Sequence, residues 1–207
     1  MNHAPQPQPT GSVEVITGTM FGGKSTELLR RLERSLIAGQ KVLAFSRDRR
    51  FGTGCITTHS NISLEAHTVE NVTQIKDVVK EHPDAEVIGI DEVQFFDRKL
   101  VKYCDQLALE GKRVICAGLD QDYEAKPFET TIGLITEAEY VDKMSAICVS
   151  CGSLAVRNRR KTSDEAKILE GAEEQYEALC RSCYRDKMNE GEGYDTARQK
   201  GVEFGNI

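Results

Sequence analysis

Apolar residues along most of the chain alternate between short continuous runs and helical spacing. Residues 12–17 (SVEVIT) have the composition of a strand, and the apolar segments at 41–46, 87–90 and 114–117 predict three more strands. Between them, apolar side chains recur at three- and four-residue intervals, which predicts helices at 24–38, 72–79 and 97–110, with a polar loop at 47–61. Strands that alternate with helices, and that are too apolar to expose one face, predict an α/β fold with a parallel sheet covered by helices on both faces.

This pattern changes near Val141, after which two Cys-x-x-Cys pairs flank a polar stretch. The change predicts four parts in the chain. Residues 1–11 are expected to be a flexible Pro/Gln-rich tail, and 12–142 a nucleotide-binding α/β domain. Residues 143–184 are expected to form a small cysteine-bearing domain, and the polar residues 185–207 a loose tail.

Charge, apolar content and cysteine content disfavour nucleic-acid-binding, membrane and secreted proteins. Lys and Arg total 27 against 33 Asp and Glu, a net charge of −6, which disfavours a protein that mainly grips nucleic acid. No apolar run approaches the roughly 20 residues of a membrane helix, and the first residues lack the features of a secretory signal. Seven cysteines without such a signal favour reduced thiols or metal ligands over disulfides. We therefore predict a cytoplasmic protein with no nucleic-acid or membrane partner.

The strongest motif is GTMFGGKS at residues 18–25, which fits GxxxxGK(S/T) between a predicted strand and a predicted helix. Glycines let successive backbone N–H groups curl around the phosphates of a nucleoside triphosphate. Lys24 is expected to reach the β- and γ-phosphates, and the Ser25 hydroxyl to ligate Mg²⁺. The alternative is a glycine-rich turn that matches by chance, which the strand–loop–helix context disfavours.

Asp91 and Glu92 follow the apolar strand at 87–90. Such a strand beside the phosphate-loop strand brings Asp91 near the Mg²⁺ held by Ser25, and leaves Glu92 to take a proton. The alternative is that the two acids only begin the next helix. This combination fits both an ATPase, which activates water, and a small-molecule kinase, which activates an acceptor hydroxyl.

Cys148, Cys151, Cys180 and Cys183 form two C-x-x-C pairs. Two such turns can close a tetrahedral structural Zn²⁺ site without an open position. The alternatives are reduced buried cysteines or a disulfide. Cys104 and Cys116 are predicted to be small core residues.

Four segments together resemble the zinc-containing thymidine kinases: GTMFGGKST (18–26), IDEVQFF (90–96), GLDQDYEAKPF (118–128) and YEALCRSCY (176–184), the last with its partner pair at 148–151. The resemblance spans residues 12–185. It departs from the family at Gly22, Phe51 and Tyr123, and at Asn158, where a threonine is more familiar.

The resemblance implies a P-loop (RecA-like) fold with a small zinc-ribbon and lasso domain, and transfer of the ATP γ-phosphoryl to the 5′-hydroxyl of thymidine. Glu92 would be the base, Lys24 and Arg50 would steady the transferred phosphoryl, and Ser25 and Asp91 would hold Mg²⁺. The implied ATP and phosphate contacts are Gly18, Thr19, Met20, Phe21, Gly22, Gly23, Lys24 and Ser25; Asp48, Arg49 and Arg50; and Asp91, Glu92, Val93 and Gln94.

It also implies a thymidine site, formed by Phe95, Leu119, Tyr123 and Phe128, the lasso residues Lys167, Ile168, Leu169, Glu170 and Gly171, and Tyr176. Without the resemblance, these aromatic residues could equally be core, and the basic run at 157–161 is expected to be a solvated face, or else an interface or a phosphate contact. The resemblance further implies that the chain forms a homotetramer and that dTTP is a candidate feedback inhibitor. The rival hypotheses are a P-loop ATPase with a zinc ribbon and a non-enzymatic zinc-ribbon binding module.

Overall fold

The structure, a computed structural model, describes residues 11–47, 54–57, 63–161 and 175–190. The elements in chain order are β1 (Ser12–Gly18), α1 (Lys24–Ile37), β2 (Val42–Ser46), β3 (Cys55–Thr57), β4 (Ser63–Glu65), β5 (His67–Thr68), α2 (Val72–Glu81), β6 (Val87–Ile90), a 3₁₀ turn (Val93–Phe95), α3 (Lys99–Leu109), β7 (Arg113–Leu119), α4 (Glu129–Glu137), β8 (Tyr140–Met144), β9 (Ala146–Ile147), β10 (Leu154–Ala155), β11 (Arg157–Arg160), β12 (Tyr176–Leu179) and α5 (Arg181–Glu190).

A six-stranded sheet with the order β5-β2-β6-β7-β1-β8 forms the centre of the molecule. Every neighbouring pair in this sheet is parallel. Helix α1 covers one face through Leu28, Leu29 and Leu32, while α2, α3 and α4 cover the other. The predicted parallel sheet with helices on both faces is therefore confirmed.

Two elements differ from the sequence-based expectation. The predicted polar loop at 47–61 contains β3, which pairs with β4 as an antiparallel hairpin. Helix α4 was not predicted, because its sequence ETTIGLITE is rich in β-branched residues and contains a glycine. Packing decides its conformation: Leu134 is fully buried, and Gly133 lets α4 approach Val101 of α3.

Residues 145–161 and 175–190, which we call the cysteine lobe, carry two short antiparallel strand pairings, β9 with β10 and β11 with β12, and a core of their own. The central sheet continues to Met144, two residues past the predicted boundary at 142/143, because β8 pairs with β1 from Tyr140 to Met144. The loose tail predicted from Arg185 was wrong for its first residues: α5 continues to Glu190, anchored by Tyr184, which is 3% exposed. None of the described helices is long and apolar enough to cross a membrane.

Candidate active site

The phosphate loop leaves the carboxyl end of β1 and enters α1, as predicted. Gly18 has φ of +130°, and a Cβ there would lie 1.9 Å from the Met144 carbonyl oxygen, so only glycine fits. Gly23 precedes α1 with φ of +80°, a conformation that lets the loop turn into the helix. The Lys24 ammonium donates to the Thr19 carbonyl at 2.6 Å, so the lysine folds back over its own loop.

The acidic pair lies at the end of β6. The expectation that this strand lies beside the phosphate-loop strand was wrong, because β7 separates β6 from β1, but the carboxyl ends of these parallel strands still share one edge of the sheet. Asp91 is 5% exposed and accepts a hydrogen bond from the Ser25 hydroxyl. Burial, followed by the nearby charge of Glu92, raises the pKa of Asp91 to about 7. A buried carboxylate beside a hydroxyl is an oxygen donor set of the kind that Mg²⁺ prefers, so these residues fit the predicted magnesium site.

Glu92 adopts a left-handed conformation, with φ of 56°, which is uncommon for a residue with a side chain. Its backbone N–H donates to Asp91 Oδ1 at 2.9 Å. Its carboxylate accepts a hydrogen bond from Gln94 Nε2. Strained backbone of this kind is concentrated at functional sites.

Gln94 is oriented by a second hydrogen bond. Its Oε1 accepts from the backbone N–H of Leu119 at 3.0 Å, which turns the Nε2 group towards Glu92. A Cβ on Gly118 would lie 2.6 Å from Gln94 Oε1, so that glycine makes room for the amide. The Gln94 side chain is only 6% exposed, and its amide holds the Glu92 carboxylate. The neighbouring Val93 side chain lies in the core.

The predicted nucleoside aromatics are all half-buried rather than core residues. Phe95 ends the 3₁₀ turn after Glu92, and its carbonyl accepts a hydrogen bond from Arg47. Phe128 directly precedes α4. Tyr123 and Tyr176 meet around the guanidinium of Arg160, which lies 4.1 Å from the first ring and 5.3 Å from the second.

Sequence reasoning missed the role of strand β11. The basic run at 157–161 was expected to be solvated, yet Asn158 is 2% exposed and Arg160 is 6% exposed. Arg160 donates to the Tyr176 hydroxyl at 2.7 Å, and Asn158 accepts from the Met20 N–H at 2.9 Å. Alternate burial along RNRR is the period-2 signal of a strand, but charged residues conceal it because they are rarely buried.

The four predicted metal ligands come together. Their Sγ atoms all lie within 4.8 Å of one another, and the Cys151 and Cys180 sulfurs are 3.7 Å apart. A tetrahedral ion with Zn–S bonds of about 2.3 Å places its sulfurs about 3.8 Å apart, so the cluster fits Zn²⁺. Although burial raises the pKa of Cys148, backbone hydrogen bonds lower it to about 6, whereas the hydrogen bond with Cys180 raises the pKa of Cys183 to about 12. The fit to a metal therefore rests on the positions of the four sulfurs.

The structure supports a metal site better than it supports either alternative, a disulfide or a set of reduced buried cysteines. None of the seven cysteines, all of which lie in the described residues, forms a disulfide, and Cys151 is exposed while Cys180 and Cys183 are half-buried. Cys104 and Cys116 are fully buried core residues, as predicted. The predicted residues Asp48, Arg49, Arg50 and Phe51, and the lasso residues Lys167 to Gly171, lie outside the described residues.

The sequence of this chain is similar to those of known proteins over most of its length. The family model described as "Thymidine kinase" matches residues 11–184. This chain belongs to the thymidine kinase family. Its similarity extends to thymidine kinases of Rhodothermus sp. (44% identity, covering 84% of this chain and 82% of that one) and Halobacterium salinarum (44%, 84% and 94%). The thymidine kinase of Bacteroides fragilis is 39% identical, covering 91% of this chain and 94% of that one.

Membership of the thymidine kinase family makes this chain an ATP-dependent nucleoside kinase rather than a P-loop ATPase or a binding module. Among solved structures, the flagellar accessory protein FlaH of Methanocaldococcus jannaschii covers 70% of this chain with a TM-score of 0.49 and 16% identity.

Proposed function

We propose that this thymidine kinase family member transfers the γ-phosphoryl of ATP to the 5′-hydroxyl of thymidine, giving dTMP and ADP. The observation that carries the proposal is the carboxylate of Glu92, held by Gln94 at the same sheet edge as the phosphate loop. A positioned carboxylate beside a triphosphate site suits an acceptor hydroxyl that must lose a proton. The named relatives support thymidine as that acceptor.

In this reaction Glu92 takes the proton of the 5′-hydroxyl as its oxygen forms a bond to the γ-phosphorus. The bond between that phosphorus and the β–γ bridging oxygen breaks, and ADP leaves with the electron pair. Lys24 and Arg50 offset the charge on the transferred phosphoryl. The transition state is loose and needs little covalent chemistry, so positioning and charge stabilisation account for most of the catalysis.

We assign two metals to the chain's own residues. Ser25 and Asp91 would hold Mg²⁺, which would supply positive charge to offset the negative charge that develops during phosphoryl transfer. Cys148, Cys151, Cys180 and Cys183 would hold one structural Zn²⁺. The buried Asp91 carboxylate and the sulfur separations support these assignments.

The remaining properties stay predictions that rest on the resemblance. They are assembly as a homotetramer, inhibition by dTTP, a cytoplasmic location, and the thymidine contacts of Phe95, Leu119, Tyr123, Phe128, Tyr176 and the lasso. Light scattering on the purified chain measures its assembly, and initial rates with and without dTTP measure inhibition.

ADP release should be measured with no nucleoside, thymidine, deoxyuridine and deoxycytidine. We expect turnover to depend on the nucleoside and kcat/KM to be highest for thymidine. Deoxyuridine lacks only a methyl group, a difference of about 1–3 kcal/mol, or roughly 5- to 150-fold. Deoxycytidine reverses two hydrogen-bonding groups and should be far poorer. Equal turnover without nucleoside would instead indicate an ATPase, and equal kcat/KM for thymidine and deoxycytidine would contradict the assigned acceptor.

A further inference from the structure

The first half of the phosphate loop is hydrogen-bonded to the cysteine lobe. Thr19 is 2% exposed, and its hydroxyl accepts from the Ala146 N–H at 3.2 Å and donates to the Ala155 carbonyl at 3.4 Å. Ala146 and Ala155 are direct partners in the β9–β10 pairing, and the chain between them contains Cys148 and Cys151. The hydroxyl therefore joins the loop to both strands of the hairpin that carries half of the cysteine cluster.

A second link lies one residue further along the loop. The Met20 N–H donates to Asn158 Oδ1 at 2.9 Å, and Asn158 Nδ2 donates to the Gln121 carbonyl at 3.3 Å. The orientation of this amide follows from its neighbours, because a backbone N–H needs an acceptor and a carbonyl needs a donor. Gln121, which follows β7 in the α/β part of the chain, in turn donates to the Val156 carbonyl at 2.7 Å, which connects this network back to the lobe.

These links continue to the residue that handles the phosphates. The Thr19 carbonyl accepts a hydrogen bond from the Lys24 ammonium, so the orientation of the Thr19 peptide group helps to set the position of that ammonium. Met144, which connects β8 to the lobe, packs against the loop at Gly22 and Gly23. The lobe and the strand that leads into it therefore both contact the phosphate loop.

We propose that Thr19 and Asn158 are positioning residues through which the cysteine lobe fixes the phosphate loop for ATP. The proposal rests on the proposed function for the identity of the reaction. It adds that the lobe supports the ATP site as well as the nucleoside site. Neither side chain touches the reacting atoms: each one holds backbone whose N–H groups and lysine must already be oriented when ATP arrives.

The test uses the full chain with its metal and compares Thr19→Val and Asn158→Ala with the wild type. Thr19→Val keeps the branched shape and removes only the hydroxyl. The control is Arg159→Ala on the same strand, because Arg159 faces the opposite side and pairs with Glu177 at 2.8 Å. The measurements are the Kd for MgATP by calorimetry without nucleoside, the KM for thymidine at saturating ATP, the zinc content and the melting temperature.

We expect each of the two variants to raise the Kd for MgATP about three- to tenfold, as the loss of one or two hydrogen bonds allows. The KM for thymidine should stay within twofold, zinc content should be unchanged, and Arg159→Ala should bind MgATP like the wild type. An MgATP Kd within twofold of wild type in Thr19→Val overturns the proposal, even if Asn158→Ala fails to fold. Because the Kd is measured without nucleoside, it is independent of whether thymidine is the acceptor.

Discussion

Replacing Gln94 with methionine tests the arrangement around the proposed base. Methionine has a similar length and fits the same space, but it can neither donate to Glu92 nor accept from Leu119. The Leu119 N–H would then lack its partner in a partly buried place, at a cost of about 1–3 kcal/mol. The lost hydrogen bond to a carboxylate adds about 1 kcal/mol, since Glu92 is only half-buried and water can replace part of it.

We therefore expect Gln94→Met to lower the free energy of unfolding by about 2–4 kcal/mol. Its kcat should fall about 10- to 100-fold, because a small displacement of a catalytic group is costly. The Kd for MgATP should be unchanged, since neither hydrogen bond involves the phosphate loop. Urea unfolding, steady-state rates with thymidine and calorimetry with MgATP measure the three quantities on one preparation.

Gln106→Met provides a matched control. Gln106 is exposed on α3 and donates to Glu110 at 2.8 Å, so it makes the same kind of Gln–Glu hydrogen bond away from the site. Its loss should change stability by less than about 0.5 kcal/mol and leave kcat unaltered. If Gln94→Met lost stability but kept a kcat within twofold of wild type, Gln94 would be structural only and the argument for a positioned Glu92 would fail.

Three further expectations concern separate parts of the molecule. Glu92→Gln should keep the Kd for MgATP and lower kcat about 10²- to 10⁴-fold, whereas the exposed Glu33→Gln on α1 should not; near-normal turnover would remove Glu92 from the base role. Elemental analysis should find one Zn²⁺ per chain, and Cys151→Ser should lower both the zinc content and the melting temperature; full zinc occupancy in that variant would argue against the site. The pKa of Glu27 is lowered to about 2, chiefly by the hydrogen bond from Arg30, so its contribution to stability is present above its ordinary pKa of 4.5 and is lost as the pH falls towards 2. Urea unfolding at pH 7 and pH 3 should show that Glu27→Gln costs about 1 kcal/mol at the higher pH and less at the lower; an equal cost at both would refute this.

The parts of the site that could be predicted from the sequence are those set by short-range chemistry. The loop from Gly18 to Ser25 needs glycines, a lysine and a hydroxyl at fixed positions, and its strand and helix are its immediate neighbours. The cysteine pairs are similarly local, because each turn aims two sulfurs at one point. Both motifs specify a structure within a few residues, and the structure contains both.

The parts that could not be predicted depend on residues far apart in the sequence. Nothing near Asn158 or Arg160 indicates that a basic strand is buried, because the Met20 N–H and the Tyr123 ring that compensate the burial come from elsewhere. The role of Gln94 likewise depends on Leu119, 25 residues away. Helix α4 forms against its local preference because Leu134 and Gly133 pack against the sheet and α3.

The position of β1 in the sheet has a consequence for synthesis on the ribosome. β1 precedes the other described strands in the chain, yet its two neighbours are β7 and β8, and its pairings join residues about one hundred positions apart or more. Contacts of such long range form slowly, and here they must wait until the chain past Met144 has left the exit tunnel. The nascent strand therefore exposes its apolar residues until β7 and β8 have emerged, and nucleotide can assist folding only after that point.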